Sequence, residues 1–246
     1  MAEGHPDVSA IVPTYLEQET IAGCIQSIKK QNFNGKIETI VVDSHSPDRT
    51  REVAAAHADR VVDVKARGVG KARNVGAKLA QGDILLFVDA DTYLAKHFVV
   101  ELCRSFSDPR VVCVSGVLRG LERLGTLNNL FAIAHYGLLN QIATLSAHTP
   151  FPMFPSVCVA ARKNAFQLAG GFVEDMAVGE DVTFSRKMGT IGKCVVNRKA
   201  VCYTSVRRIS NCGKLQMYSM YFKNYVRIFL LKQKPWIQDF PHIRTE

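Results

Sequence analysis

Two aspartates separated by a single residue, Asp89 and Asp91, directly follow the apolar run at 84–88. Such a run is typical of a strand buried on both faces, and residues i and i+2 of an extended chain share a face. Paired carboxylates are hard oxygen ligands that suit Mg²⁺ or Mn²⁺, which commonly take substrate phosphates as further ligands. The Asp-x-Asp pattern therefore predicts a divalent-metal site. Taken alone, it is equally typical of solvated turn aspartates that cap a helix.

Further polar residues follow two earlier strands of the predicted fold. Pro13-Thr14-Tyr15 end the first strand, and Asp43 ends the second. If these strands are parallel, their carboxyl ends meet at the rim where open α/β sheets bind ligands. An acid at the end of an early strand can accept hydrogen bonds from a ribose or a base. We therefore expect these residues to lie close to Asp89 and Asp91.

The segment 67–74 carries positive charge into the start of a predicted helix. It supplies Arg67, Lys71 and Arg73 around two glycines, a combination that suits an anionic diphosphate. The third glycine of the dinucleotide-binding fingerprint is replaced by Arg73, and the segment lies far from the first strand, which argues against an NAD enzyme. The alternative is that Arg67 and Arg73 belong to a solvated helix start.

The elements that must position these residues alternate between strand and helix. Such alternation is typical of βαβ units with a parallel sheet, so we expect an α/β fold with a mostly parallel sheet. Ser46, Pro47 and Asp48 predict a helix start with Ser46 as its N-cap. The predicted strands are 8–12, 37–42, 61–64, 84–88, 111–115 and 157–160, and the predicted helices are 17–31, 46–57, 67–80 and 95–106.

Composition narrows the classes of partner. The 246 residues are 47% hydrophobic and 22% charged, as in a soluble protein with one large core. The net charge of +9 favours anionic partners such as nucleotides or lipid headgroups; no recognition motif for nucleic acid accompanies it. Seven scattered cysteines predict buried free thiols in a reducing cytosol, and the N-terminus has no secretory signal pattern.

Two stretches of the second half are candidates for contact with a membrane. No Asp, Glu, Lys or Arg occurs from 124 to 161, where apolar residues recur at helical spacing among Asn, Gln and His. The arm at 207–246 contains an amphipathic pattern at 214–232 that is rich in aromatic and basic residues. The alternative for both stretches is packing on the domain or on a second subunit. We expect peripheral attachment to the cytoplasmic face of a membrane.

As an ordered set, the sequence resembles the inverting family 2 glycosyltransferases with the GT-A fold, over roughly residues 8 to 206. The resemblance implies a single GT-A domain at 1–206, followed by the basic helical arm at 207–246. The matching segments are Ile11-Val12-Pro13-Thr14-Tyr15, Val41-Val42-Asp43-Ser44 with 46–50, Arg67-Gly68, Ala72-Arg73-Asn74, Phe87-Val88-Asp89-Ala90-Asp91, Gly170-Gly171-Phe172, and Gly179-Glu180-Asp181 followed by Arg186.

The resemblance implies a donor, a metal and a role for each acid. Asp43 would hold the nucleoside, Asp89 would lie near the ribose and sugar, and Asp91 would bind Mg²⁺ or Mn²⁺ and the diphosphate. Asp181 would be the general base, with Glu180 beside it at the acceptor. The implied contacts to a UDP-, GDP- or dTDP-sugar are Pro13, Thr14, Tyr15, Glu17, Asp43, Arg67, Lys71, Arg73, Asp89, Ala90, Asp91 and Gly171.

The acceptor is not specified by the sequence. A hydroxyl acceptor needs a general base, whereas a lipid phosphate is already ionised, and Arg207 and Arg208 are candidates to position such a phosphate. The Gln-x-x-Arg-Trp signature of processive synthases is absent, which predicts transfer of one sugar per encounter. The alternatives are a sugar nucleotidyltransferase, which would need a glycine-rich loop after the first strand, and a non-catalytic protein that binds nucleotides or membranes.

Overall fold

The computed structural model describes residues 5–65, 68–122, 125–176 and 178–207, together with Ser219, Lys223, Asn224, Val226 and Arg227. Within these residues the strands are β1 (Val8–Thr14), β2 (Ile37–Asp43), β3 (Arg60–Asp63), β4 (Ile84–Val88), β5 (Thr92–Leu94), β6 (Val111–Gly120), β7 (Cys158–Arg162) and β8 (Lys193–Thr204). The helices are α1 (Ile21–Lys29), α2 (Thr50–Ala55), α3 (Val69–Leu79), α4 (Phe98–Ser105), α5 (Thr126–Ser146), α6 (Lys163–Leu168) and α7 (Glu180–Ile191). The predicted arm at 207–246 lies almost wholly outside the described residues.

The strands form one sheet in the order β3-β2-β1-β4-β7-β6-β8-β5. The first four strands in this order are parallel, as the βαβ alternation predicts. β7 runs antiparallel to both β4 and β6, and β5 runs antiparallel to β8, while β6 and β8 are parallel. The predicted α/β class is confirmed, and the sheet is mixed beyond β4.

The sheet separates two hydrophobic clusters because its central strands are apolar on both faces. In β4, Leu86 and Val88 belong to one cluster, and Leu85 and Phe87 belong to the other. Helices α1 and α4 cover the first face, and α3, α6 and α7 cover the second. This double burial is the reason that a run of five apolar residues forms β4 with the predicted bounds, and it fixes the point at which Asp89 leaves the sheet.

The predicted start of α2 and the predicted end of β1 are wrong. Ser46 is not the N-cap of α2, because its hydroxyl is bonded to Asp43; α2 instead begins at Thr50. β1 continues through Pro13, which lies beyond the four residues that pair with β4 and therefore has only β2 as a neighbour. The pattern of the sequence does not predict β5, β8 or α6. The six described cysteines are free thiols, and five of them are buried, as predicted.

Helix α5 forms most of the uncharged stretch. Its inner side packs on β6, where the Asn140 side-chain amide bonds both the N–H and the carbonyl of Leu118. Its outer side is exposed and apolar: Leu130, Ile133, Leu138, Ile142 and Leu145. Among the residues that the structure describes, no helix has the length and hydropathy that crossing a bilayer requires.

Candidate active site

The carboxyl ends of β1 and β2 bring the first predicted site residues together. Thr14 and Asp43 are register partners, and the N–H of Ser44 donates to the carbonyl of Thr14 at 2.8 Å. Asp43 is fully buried and accepts from the N–H of Ser46 at 2.8 Å and from its hydroxyl at 2.5 Å. The predicted nucleoside-binding acid is therefore rigidly oriented.

The loop after β1 is bonded to the loop after β2. Ser46 Oγ accepts from the N–H of Leu16 at 2.8 Å, and Thr50 Oγ1 accepts from the N–H of Glu17 at the same distance. Arg51 lies between two strand ends, with Nε 3.6 Å from Asp43 Oδ2 and Nη1 2.5 Å from Asp63 Oδ2. No local pattern in the sequence predicts these contacts of the Thr50 and Arg51 side chains.

Arg73 joins the end of β4 to the start of α7. Its Nη2 donates to Asp89 Oδ1 at 2.8 Å, and its Nη1 donates to Glu180 Oε1 at 3.1 Å. The side chain is only 2% exposed, which excludes the solvated helix start as an explanation of this arginine. Burial alone would lower the pKa of Arg73, but the charges of Asp89 and Glu180 raise it, so the guanidinium stays ionised.

The segment after α6, Gly170-Gly171-Phe172, supports the guanidinium of Arg73. The guanidinium lies 5.1 Å from the centre of the Phe172 ring, within cation–π range. Asn74 fixes Phe172 by accepting from its N–H and donating to its carbonyl, each at 2.9 Å. Gly171 adopts φ +64°, and a Cβ there would lie 2.6 Å from Asn74 Oδ1. The Gly-Gly-Phe segment thus positions Arg73, which explains its place in the site.

Asp91 is held by a different arginine. Arg207 Nη2 donates to Asp91 Oδ2 at 2.9 Å and to Glu17 Oε1 at 2.5 Å. The hydroxyl of Thr20 donates to the other oxygen of Glu17 at 2.7 Å, and the N–H of Ser205 donates to the Asp91 carbonyl at 3.2 Å. Arg207 thus lies beside the predicted metal ligand, and its predicted role at an acceptor phosphate stays a prediction.

Glu180 and Asp181 open helix α7, as expected for acids at a helix N-terminus. Gly179 precedes them with φ +85°. Asp181 Oδ1 accepts from the N–H of Val182 at 2.8 Å. Burial, together with the adjacent charge of Glu180, raises the pKa of Asp181 to about 7, although the N–H of Val182 and the charge of Arg73 act to lower it. A carboxylate that titrates near neutral pH is suited to take a proton from a substrate.

The remaining predicted residues differ in position. Ala90 is buried between the two aspartates, and Pro13 lies buried in β1. Tyr15 is half-buried after β1, and Lys71 is exposed in the first turn of α3. Arg67 and Arg208 lie outside the described residues, so their contacts stay predictions.

The donor set fits a divalent cation that takes most of its ligands from a substrate. No group of three or more His, Cys, Asp or Glu side chains that could hold a metal occurs in the described part of the chain. Asp89 and Asp91 are nevertheless adjacent hard-oxygen donors on one strand end, and Mg²⁺ or Mn²⁺ commonly uses one or two carboxylates plus phosphate oxygens. A complete protein cage is therefore unnecessary.

Comparison with known proteins decides the family. The model of "Glycosyl transferase family 2" matches residues 9–168, more than half of the chain. The chain belongs to this family. The matched residues contain Thr14, Asp43, Arg73, Asp89 and Asp91.

Two relatives show the range of the likeness. The chain is 36% identical over 127 residues to an N-acetylglucosaminyltransferase of Bradyrhizobium elkanii; the match covers 48% of this chain and 69% of that protein. It is 28% identical over 130 residues to the poly(ribitol-phosphate) beta-N-acetylglucosaminyltransferase TarS of Staphylococcus aureus (strain Mu50); this match covers 50% of this chain and only 23% of TarS.

Solved structures agree on the fold. The mannosyltransferase PcManGT of Pyrobaculum calidifontis, in complex with GDP-Man and Mn²⁺, superposes with a TM-score of 0.65 at 26% identity, over 82% of this chain and 57% of that one. S. aureus TarS 1–349 in complex with UDP-GlcNAc gives a TM-score of 0.63 at 23% identity, over 84% of this chain and 61% of that one. This chain is a family 2 glycosyltransferase that spans less than two thirds of each of these structures.

Proposed function

We propose that the protein transfers one N-acetylglucosamine residue from UDP-N-acetylglucosamine to an acceptor, with inversion at the anomeric carbon and with Mg²⁺ or Mn²⁺. The observation that carries the proposal is the grouping of carboxylates beyond the strand ends: Arg73 bonds Asp89 and Glu180, and Arg207 bonds Asp91 and Glu17. Asp181 follows Glu180 at the start of α7, and Asp43 ends β2, the neighbour of β1. The names of the Bradyrhizobium and staphylococcal relatives support the sugar, and the donor bound to TarS supports the nucleotide.

The donor is held by the ends of the parallel strands. Asp43, fixed by Ser46, faces the loop that follows β1 and accepts hydrogen bonds from the nucleoside. Asp89, oriented by Arg73, lies beside the ribose and sugar. Lys71 and the N–H groups at the N-terminus of α3 add positive potential for the diphosphate. Arg67, outside the described residues, is a further contact predicted from the sequence.

Asp91 and Asp89 would hold the divalent cation. When bound, such a cation neutralises the negative charge that develops on the leaving nucleoside diphosphate. The Mn²⁺ of the Pyrobaculum mannosyltransferase complex supports this assignment. The contribution of the chain itself is to orient Asp89 through the buried Arg73.

Asp181 is the proposed general base. Its carboxylate takes the proton of an acceptor hydroxyl while the acceptor oxygen attacks the anomeric carbon on the face opposite the leaving diphosphate. One displacement at that carbon gives inversion. Glu180 cannot take the same role with equal ease, because its carboxylate is bonded to Arg73.

A lipid-linked acceptor fits the exterior of the molecule. The outer side of α5 is apolar and exposed, and so is Phe151 in the loop that follows it. The chain beyond Phe151 is bonded to α7, where the N–H of Phe154 donates to Ser185 Oγ at 3.1 Å. With the net charge of +9, this surface supports peripheral contact with an anionic membrane, on its cytoplasmic face.

The experiment that tests the proposal is a donor panel read in two ways. UDP-GlcNAc, GDP-mannose and a dTDP-sugar, each with and without Mn²⁺, are tested for a rise in the melting temperature and for release of nucleoside diphosphate. We expect UDP-GlcNAc with Mn²⁺ to give the largest shift and the fastest release. A preference for GDP-mannose would contradict the sugar and nucleotide, and formation of nucleoside triphosphate from added pyrophosphate would indicate the nucleotidyltransferase.

A further inference from the structure

The two arginines of the site are held in different ways. Arg73 is 2% exposed and lies between Asp89, Glu180 and the Phe172 ring. Arg207 is 30% exposed and lies three residues after the end of β8. A buried arginine with partners on three sides is fixed, whereas a partly exposed one has a long flexible stem and can change partners.

Arg207 makes both of its described carboxylate contacts through one atom. Nη2 donates to Glu17 Oε1 and to Asp91 Oδ2, so a single nitrogen joins the loop after β1 to the Asp-x-Asp turn. Asp91 is the carboxylate that would bind a divalent cation and a diphosphate. The hydrogen bond at Oδ2 uses acceptor capacity and charge that a cation at Asp91 would also use.

We propose that Arg207 is a ligand of the donor diphosphate that exchanges partners: it occupies Asp91 in the absence of donor and passes to the diphosphate when a divalent cation takes Asp91. This inference rests on the proposed function. A guanidinium binds phosphate oxygens in a planar, bidentate way, and a diphosphate at Asp91 lies within reach of a side chain that already contacts Asp91. Glu17 keeps the guanidinium at the site throughout, because Thr20 orients its other oxygen.

The exchange predicts effects of opposite sign on two binding constants. In Arg207→Gln, Mn²⁺ alone should bind about tenfold more tightly than in the wild type, because no guanidinium competes for Asp91. In the same variant, UDP in the presence of saturating Mn²⁺ should bind about tenfold more weakly, because the diphosphate loses a charged ligand. Calorimetry of UDP binding and the electron paramagnetic resonance signal of free Mn²⁺ measure the two constants without any turnover.

Two further variants separate this role from others. Arg110→Gln removes the same charge from an exposed arginine paired with Asp108 and should leave both constants unchanged. Arg207→Lys retains the charge and should move both constants back toward the wild type, while circular dichroism checks the fold of each variant.

The outcomes are distinct. If the two binding constants shift in opposite directions in Arg207→Gln, the exchange is supported. If they shift in the same direction or not at all, the exchange is overturned. In that case the proposed function still stands as long as the wild type binds UDP in a Mn²⁺-dependent way. If the wild type binds no UDP with or without Mn²⁺, the proposed function fails, and the exchange fails with it.

Discussion

At the scale of single residues, the carboxylates at the sheet edge fall into pairs that share an arginine. Arg73 bonds Asp89 and Glu180, and Arg207 bonds Asp91 and Glu17. In each pair, an aspartate of the Asp-x-Asp turn shares its arginine with a glutamate from a distant part of the chain. Because a buried charge is costly unless it is paired, removal of one member should change the behaviour of its partners as well as its own.

The metal assignment predicts a selective loss in Asp91→Asn. The amide oxygen carries no charge, so the variant should bind Mn²⁺ at least about tenfold more weakly and lose metal-dependent release of UDP. Asp91 is partly exposed, so the fold should remain intact. Mn²⁺ titration of donor hydrolysis and circular dichroism measure the two properties. Asp108→Asn removes a half-buried aspartate that is paired with Arg110 elsewhere and is the control; undiminished turnover in Asp91→Asn would contradict the assignment.

The raised pKa of Asp181 predicts how the transfer rate depends on pH. With a hydroxyl acceptor, kcat/KM should rise about tenfold per pH unit below pH 7 and level off above it, because only the ionised carboxylate accepts a proton. Asp181→Asn should be slower by about a hundredfold or more and should lose this dependence, with donor affinity little changed. A flat wild-type profile with a small loss in the variant would indicate a phosphate acceptor instead.

The same pKa predicts a change in stability. The carboxyl has its ordinary pKa near 3.8 in the unfolded chain and about 7 in the folded one, so the folded state binds more protons between these values. The contribution of Asp181 to stability is therefore fully present below pH 4 and is lost as the pH rises through 7. The melting temperature of Asp181→Asn, relative to the wild type, should increase from pH 5 to pH 8, and a difference that is independent of pH would contradict this.

At the scale of elements, the two glycines before Phe172 allow a matched comparison. Both have positive φ, +71° at Gly170 and +64° at Gly171. Of the two, only Gly171 has neighbours within 4 Å of an added Cβ: the Asn74 side chain at 2.6 Å and the Phe166 ring at 3.1 Å. Gly170→Ala should cost about 1 kcal/mol of unfolding free energy from backbone strain. Gly171→Ala should cost about 2 kcal/mol more, because it also disturbs the Asn74–Phe172 hydrogen bonds.

Gly171→Ala should also lower the rate of donor hydrolysis, because Phe172 supports the guanidinium of Arg73. Urea unfolding and a UDP release assay measure the two effects. Equal costs for the two alanine variants would show that contact with Asn74 is unimportant.

The elements that sequence could predict are those set by local pattern. β4 was predicted with its observed bounds because five consecutive apolar residues require burial on both faces, and Asp89 and Asp91 follow from where it ends. β5 and β8 were not predicted, because β5 is a three-residue strand and its partner in β8 lies 112 positions away at the Thr92–Thr204 contact. Periodicity carries no information about such a pairing.

The site shows the same division. Ser46 looked like a helix cap from its neighbours, and only the fully buried Asp43 explains why its hydroxyl bonds elsewhere. Arg207 and Asp91 are 116 positions apart, and no spacing rule connects them. The acids were predictable from strand ends and from the resemblance, whereas their cationic partners depend on the three-dimensional path of the chain.

At the scale of the whole molecule, charge and apolar surface are separated. The net charge is +9, yet α5 contains no Asp, Glu, Lys or Arg and exposes several large apolar side chains, and Phe151, in the loop after α5, is also exposed. An apolar helix side on a basic protein is typical of contact with an anionic interface, where apolar burial and attraction to headgroups act together. The basic amphipathic pattern at 214–232, predicted from the sequence of the arm, would add to this attraction.

Membrane contact through α5 can be tested by exchanging exposed apolar residues. Ile133 and Leu145 are 63% and 68% exposed, so Ile133→Asn/Leu145→Asn should fold normally while binding anionic vesicles about tenfold or more weakly in co-sedimentation. Leu168→Asn replaces a leucine that is 75% exposed on α6, outside this surface, and should bind as the wild type does. Binding of the wild type should fall as salt is raised, because the basic residues contribute through screened attraction. If the wild type stays in the supernatant with every lipid mixture, or if the α5 variant dissociates a dimer seen in analytical ultracentrifugation, the surface is a protein interface and the lipid-linked acceptor loses its structural support.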